Sequence, residues 1–359
     1  PLQVARYGAL TALGGTRAGF AALLDGRDGF GPDPDRPAWV EPGVPVACVR
    51  GDLGGANRTL ALADRLLDGL DVDPRGLAVV FATTTSAMLD GEQAVEECVR
   101  GETPRRPLDF LWSHLAHQPA LAVKERLGAT GPALVVSTAC TSGTVAIGVA
   151  HDLVATGRAA RALVIGADAL CRTTLFGFRS LSAYTASRCR PLDRARDGMA
   201  IGEGAAYVLL EPATSDARFT LLGVATATDG YHLTAPDPAG NGVARAIAGA
   251  LSGVDPAAID HVNAHATGTE ANDAAEAASI GRAAPNAAVS ATKGASGHTL
   301  GAAGLVEAVW LLQSMEADVI PPVVGLEDPV PGVDVSPVLR ARAQRVGVSV
   351  NLAFGGHNA

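Results

Sequence analysis

The feature that most constrains this chain is a regular alternation of short, β-branched apolar runs with Ala/Leu-rich stretches of helical spacing. Leu77–Phe81, Ala133–Ser137, Ala162–Ile165 and Tyr207–Leu210 form a first series. After a break at Pro212–Ala217 a second follows, through Phe219–Val224, Ile259–Ala264, Ala287–Ala291 and Arg345–Asn351. Runs that are apolar throughout suit strands buried on both faces, and the helices between them supply the crossovers that parallel strands need. The alternation predicts an α/β fold with mostly parallel sheets covered by helices. Two similar passes suggest a duplicated α/β unit with halves 1–215 and 216–359, and 359 residues suffice to give the pair a substantial core.

Composition removes several function classes. A net charge of −9 argues against a nucleic-acid binder. No apolar run reaches the roughly 18 residues of a membrane span, and the N-terminus lacks a charged-then-apolar signal pattern. Cys48, Cys98, Cys140, Cys171 and Cys189 are scattered, odd in number and never spaced CxxC, which disfavours a disulfide framework and a zinc site. A reducing cytoplasm is the expected location. Only two of the 28 basic residues, Lys124 and Lys293, are lysines. In a chain that otherwise uses arginine, a lysine is worth reading for its own chemistry. The Pro/Gly-rich segment Asp28–Asp52 reads as surface loop, and Thr103–Pro119, with Phe110 and Trp112, as a partner contact or pocket wall. A further strand is expected after the Gly-rich turn that precedes Ala359.

Cys140 stands at the join of an apolar strand and a small-residue helix, in VVSTACTSG. A thiol at a helix start meets the positive end of the macrodipole and unpaired N–H groups, both of which favour thiolate. Cysteine is also a good filler of a packed turn, so its role depends on partners. Three segments offer them. Val262–Thr269 (VNAHATGT) puts His265 at a strand end before Thr267 and Thr269, whose hydroxyls suit a bound amide or hydroxyl; Asp273 and Glu276 follow on one helix face. Ser290–His298 (SATKGASGH) places Lys293 five residues before His298, in a Gly-rich turn leading into a helix from about Leu300 to Met315. It has neither phosphate-loop nor dinucleotide order. His298 at that helix start is expected to stay neutral and act as a donor, as stabilising an enolate requires. Finally, Asn351–Ala359 (NLAFGGHNA) sets Phe354 before two glycines, where it can wall a pocket and offer its N–H to an oxyanion; His357 reads as structural.

Together these segments resemble the elongating β-ketoacyl-acyl-carrier-protein synthases, the decarboxylating condensing enzymes of the thiolase superfamily. The resemblance runs from Gly8–Gly14 through Arg190–Asp193, Arg196–Gly198 and Gly202–Ala205 to the Gly-Gly-His-Asn tail, nearly the whole chain. It implies a thiolase-like αβαβα layering with mixed sheets, and an acyltransferase that needs no metal or cofactor. Cys140 would carry the acyl chain as a thioester. His265 and His298 would assist decarboxylation of malonyl-carrier protein, and Lys293 and Glu276 would form a supporting ion pair. The N–H groups of Cys140 and Phe354 would make an oxyanion hole, with Thr267 and Thr269 on the pantetheine arm. The reaction would be ping-pong chain elongation in fatty-acid or polyketide synthesis.

The sequence departs from the family in two places. Leu352–Ala353 replaces the usual Phe-Gly before the gating Phe, which predicts a stiffer gate because Ala has less backbone freedom. Phe176–Arg190 is short, as in the branch serving aryl-polyene and related pathways. Thiolase proper needs a C-terminal cysteine, and none follows Cys189. Chain-starting synthases use Cys/His/Asn instead. A non-catalytic chain-length partner subunit is the alternative reading, and such subunits lack the nucleophile. The resemblance further implies an acidic acyl carrier protein bearing acyl or malonyl phosphopantetheine, met by a basic mouth for which Arg58, Arg65, Arg105, Arg106 and Arg179 are candidates. It also implies a homodimer, or a heterodimer with a ketosynthase-like subunit.

Overall fold

The computed structural model describes residues 1–31, 36–51, 53, 57–102, 114–251 and 253–359. The expected Phe110, Trp112, Arg105 and Arg106 lie outside them. The strands that organise the fold are β1 (Leu2–Thr11), β2 (Leu77–Ala82), β3 (Ala133–Val136), β4 (Arg161–Asp168), β5 (Gly204–Pro212), β6 (Thr220–Leu221), β7 (His261–Asn263), β8 (Ala288–Ser290) and β9 (Gly347–Ser349), with the hairpin β10 (Leu352–Ala353) and β11 (His357–Asn358). The helices used below are α1 (Arg58–Leu67), α2 (Gln118–Arg126), α3 (Ser142–Ala155), α4 (Arg172–Ser180), α5 (Asn241–Ala250), α6 (Glu270–Ala283), α7 (Lys293–Ser296) and α8 (Ala303–Ala317).

The larger sheet runs β3-β2-β4-β5-β1, with β6 and a two-residue strand also on β1. β2 pairs in parallel with both β3 and β4, whereas β5 is antiparallel to β4 and to β1. The smaller sheet, β8-β7-β9, is parallel throughout. Both faces of the larger sheet are covered, which is why β2 reads as an unbroken apolar run. Val79 and Phe81 point to α1 and α2, and Ala78, Val80 and Ala82 to the opposite side. That side packs on α3 and α8 through Ala146, Ala150, Leu305, Val309 and Trp310. The smaller sheet buries Val262 and Val289 with Val243, Ile247, Ala277 and Ile280 of α5 and α6. Helices α3 and α8 thus form a middle layer, giving the αβαβα order.

Two differences from the sequence expectation have physical causes. β1 interrupts its apolar pattern with Gln3, Arg6 and Tyr7 because its first half is only partly covered, and a bulge shifts its register between Val4 and Arg6. The expected strand Phe219–Val224 shortens to Thr220–Leu221, and it joins the first sheet through β1 rather than opening the second.

Candidate active site

Cys140 is set by a tight turn between β3 and α3. Ala139 takes a left-handed φ of 52°. The Ser142 hydroxyl fastens this turn by accepting from Thr138 N–H (2.8 Å) and donating to the Ala139 carbonyl (2.6 Å). The thiol therefore projects at the start of α3, as the sequence implies. Its surroundings are less favourable to the anion than expected. Burial pushes the Cys140 thiol up to about 12, opposed by Lys293, because leaving water penalises the charged form more than the nearby cation repays.

The Cys140 sulfur and ring nitrogens of His265 and His298 lie within 4.8 Å of one another, with the rings edge to face at 5.1 Å. His265 leaves the end of β7. Its Nδ1 lies 3.1 Å from Lys293 Nζ and 3.2 Å from Asn351 Nδ2, two donors. His298 Nδ1 accepts from Leu300 N–H (3.1 Å), and its Nε2 has no protein partner although fully buried. Both imidazoles thus accept through Nδ1 and carry their proton on Nε2. Burial and Lys293 hold both well below the ordinary histidine value, so both are neutral. A Cys/His/His cluster is a conceivable metal set, yet ligation needs a lone pair on Nε2, and here Nδ1 is occupied by fixed donors. The arrangement suits two N–H donors aimed at a reacting oxygen.

The Lys293–Glu276 ion pair is not formed. Lys293 instead pairs with Glu307 of α8 and donates to the His265 carbonyl. Glu276 is committed elsewhere. Its two oxygens accept from His265 N–H (2.6 Å) and Ala266 N–H (2.7 Å), pinning a turn in which Ala266 has φ 31°. Glu276, in the second turn of α6, faces these amides, whereas Glu307 of α8 faces Lys293. Burial pushes the Glu276 carboxyl up to about 8.

Sequence reasoning missed Glu307 and Asn351. Asn351 donates to Glu307 Oε2 (2.5 Å) as well as approaching His265, and its Oδ1 accepts from Thr144 of α3. Glu307 had a legible signal, being the one charge in the otherwise apolar stretch Leu300–Leu312. Asp168, at the end of β4, was also missed. It accepts from Thr83, Thr84 and Thr85 and from Gly301 N–H (2.7 Å), which secures the turn after His298.

These groups open into a cavity of about 340 Å³ lined by Cys140, His265, His298, Thr267, Thr269 and Phe354. The Thr267 and Thr269 hydroxyls lie 2.9 Å apart, and Arg196 holds their loop by donating to the carbonyls of Thr269 (3.2 Å) and Glu270 (2.8 Å). Phe354 is 36% exposed at the mouth and meets Phe178 at 5.6 Å between ring centres. Gly355 and Gly356 follow it with φ of 86° and 72°, a conformation that needs glycine. His357, read as structural, contacts Thr141 Oγ1 at 2.9 Å. A second cavity of about 560 Å³ between β6 and β9 holds no thiol or imidazole. Of the arginine candidates, Arg58 is bound to buried Glu203 and so leaves the list, Arg179 pairs with Glu41, and Arg65 donates to the Arg50 carbonyl.

A half-buried thiol at the start of a central-layer helix, faced by two imidazoles that follow strands of the smaller sheet, defines a thiolase-superfamily protein. Comparison with known proteins makes this more specific. Residues 59–216 match the β-ketoacyl synthase N-terminal domain and residues 218–327 the β-ketoacyl synthase C-terminal domain. The chain is 40% identical over 255 residues to 3-oxoacyl-[acyl-carrier-protein] synthase 2 of Synechocystis sp., covering 65% of this chain and 61% of that protein. It is 33% identical over 301 residues to nodulation protein E of Rhizobium meliloti, covering 79% and 75%. Among solved structures, it superposes with TM-score 0.90 and 29% identity on a chain from the complex of a ketosynthase with its chain length factor from Xenorhabdus doucetiae, covering 99% and 96%. The chain belongs to the β-ketoacyl synthase family. It spans about three fifths of the length of the first curated relatives it matches.

Proposed function

We propose that this protein is an elongating β-ketoacyl-acyl-carrier-protein synthase that condenses an acyl group held on Cys140 with malonyl-carrier protein. The observation that carries this reading is the convergence of the Cys140 thiol with two neutral imidazoles whose protons face the cavity. In the first half-reaction Cys140 attacks the acyl thioester and expels the carrier thiol. In the second, malonyl thioester loses CO2, and the electron pair moves onto its carbonyl oxygen as an enolate. The Nε2–H groups of His265 and His298 stabilise that oxygen. The enolate carbon then attacks the Cys140 thioester, whose oxygen faces the N–H groups of Cys140 and Phe354, and the thiolate leaves. Thr267 and Thr269 bind the pantetheine amides on the way in.

The halves 1–215 and 216–359 are the units of this reading, the first bringing the thiol and the second the imidazoles. A dimer, with itself or with a ketosynthase-like subunit, is supported by β3. Its described ladder partner is β2 alone, and Leu134 on it and Leu121 on neighbouring α2 are 39% and 45% exposed. Acyl and malonyl carrier proteins are the partners, and the cytoplasm is the site of action. Among the described residues no helix is long and apolar enough to cross a membrane. A non-catalytic chain-length subunit has no use for the thiol and two oriented imidazoles, so that reading is set aside.

The test is incubation with a cerulenin-like epoxide followed by intact-mass and peptide mass spectrometry. One adduct on Cys140, absent in Cys140→Ala, is expected. Labelling elsewhere, or no condensation with any of a panel of acyl-carrier proteins plus malonyl-carrier protein, would sink the proposal.

A further inference from the structure

We propose that Asn351 is a positioning residue that fixes which nitrogen of His265 carries the proton and ties that ring to the helix bearing the nucleophile, an inference resting on the condensing reading above. His265 Nδ1 faces Lys293 and Asn351, at 3.1 and 3.2 Å. Of the two, only the amide is a donor whose state never changes with charge. Its orientation is unambiguous. One N–H goes to Glu307 Oε2 at 2.5 Å and Oδ1 takes the Thr144 hydroxyl. A flipped amide would press its oxygen against both the Glu307 carboxylate and His265 Nδ1.

Thr144 lies in the first turn of α3, four residues after Cys140. A continuous path therefore runs from the nucleophile's helix through Thr144 and Asn351 to Nδ1, leaving Nε2–H aimed into the cavity. Asn351 itself is fully buried, and its backbone is held by exchange with Ala359 at 2.8 and 2.9 Å. Helix α8 also leaves room for the junction. A Cβ at Gly304 would come within 2.5 Å of Thr144 Oγ1 and 2.6 Å of Asn351 Oδ1.

If His265 adopts the other tautomer, a lone pair rather than a donor meets the developing oxyanion, and catalysis fails although the ring is in place. The test uses the full chain with Asn351→Leu, Thr144→Val and Thr144→Ser. Histidine ¹⁵N NMR of the resting protein reads the His265 tautomer, assigned against His265→Gln. Malonyl-carrier protein decarboxylation gives kcat and KM as functions of pH. Asn351→Leu is expected to mix the tautomers of His265, change the pH profile and lower kcat by roughly ten- to a hundredfold with KM little moved. Thr144→Val should act in the same direction but less, Thr144→Ser should recover the activity, and Asn351→Leu with Thr144→Val should be no worse than Asn351→Leu alone. A His265 that stays wholly Nε2–H in Asn351→Leu, with an unaltered pH profile, would overturn the proposal. If Asn351→Leu does not fold, equal behaviour of Thr144→Val and Thr144→Ser would overturn it as well. The NMR reading does not depend on activity, so failure of the condensing assignment would show separately, as absence of decarboxylation by the unaltered protein.

Discussion

The Lys293–Glu307 pair offers a clean separation of stability from chemistry. Lys293 and Glu307 are 1% and 2% exposed, and each also bonds a neutral neighbour, Lys293 the His265 carbonyl and Glu307 the Asn351 amide. Burial pushes the Glu307 carboxyl up and Lys293 pulls it down. Glu307→Gln leaves a buried ammonium without a counter-charge, which costs about 3–5 kcal/mol. At roughly 2 °C per kcal/mol for a chain this large, the melting temperature should fall by about 6–10 °C. Replacing both partners with apolar residues, as Lys293→Met with Glu307→Leu, removes both charges together and should restore part of that loss. Some cost persists because the Asn351 N–H and the His265 carbonyl each lose a partner, about 1–2 kcal/mol apiece. Activity should not return. The double variant still lacks the Lys293 donor behind His265, so decarboxylation of malonyl-carrier protein stays depressed. Guanidinium denaturation and calorimetry measure the first quantity, and CO2 release the second. A Glu307→Gln protein within 1 kcal/mol of the parent, or a double variant less stable than the single, would refute an ion pair at this position.

Other residues give sharper local tests. Glu276→Gln removes one of the two acceptors facing His265 N–H and Ala266 N–H. It should relax the strained turn and cut kcat about tenfold while epoxide labelling of Cys140 persists; unchanged kcat would show that the turn holds itself. Burial places the Cys140 thiol near 12, so thiolate is the minor form at neutral pH and its share grows as pH rises. Alkylation by iodoacetamide should therefore climb through pH 6–9 without levelling, and a plateau below pH 7 would mean that the helix start and imidazole donors outweigh burial. Gly304→Ala drives a methyl into Thr144 and Asn351 and should cost roughly 1–3 kcal/mol by overpacking, read as a lowered denaturation midpoint.

The parts of the site that sequence order reveals are those built from local backbone. Cys140 at a strand–helix turn, His265 at a strand end and His298 before a helix all fall where their segments predict, because the flanking apolar runs define the ends of β3 and β7 and the start of the α8 region. The partner of Lys293 did not follow. Glu276 lies 11 residues from His265 and Glu307 lies 14 from Lys293, and both are acids on helices that open near the site. Only packing decides between them: α6 presents Glu276 of its second turn to the amides of its own preceding loop, while α8 presents Glu307 to Lys293. Asn351 reads from the sequence only as part of a tail motif, whereas its amide is oriented by Thr144, 207 residues away. β1 escaped for another reason. A strand with one half-covered face carries Arg6 and Tyr7 and loses the apolar run by which the buried strands were found.

The placement of charge explains why such a site suits decarboxylation. In the condensation proposed above, malonyl thioester would arrive as a carboxylate, and in the transition state its charge would drain toward the thioester oxygen. A cation in the cavity would grip the carboxylate and stabilise the ground state as much as the transition state, with no gain in rate. Beside the histidines the cation is withdrawn: Lys293 lies behind His265, paired with Glu307, and does not line the cavity. The groups that do face substrate from the catalytic side are neutral N–H donors, kept neutral by burial and by that same hidden cation. Phe354 and Phe178 close the mouth with apolar surface. Arg196, which does line the cavity, has its guanidinium held by the carbonyls of Thr269 and Glu270, while a nascent oxyanion beside the histidines meets two fixed dipoles that need no reorganisation. Lys293 helps to hold both histidines neutral, so under the proposed reaction its removal should alter the pH dependence of decarboxylation and not merely its rate.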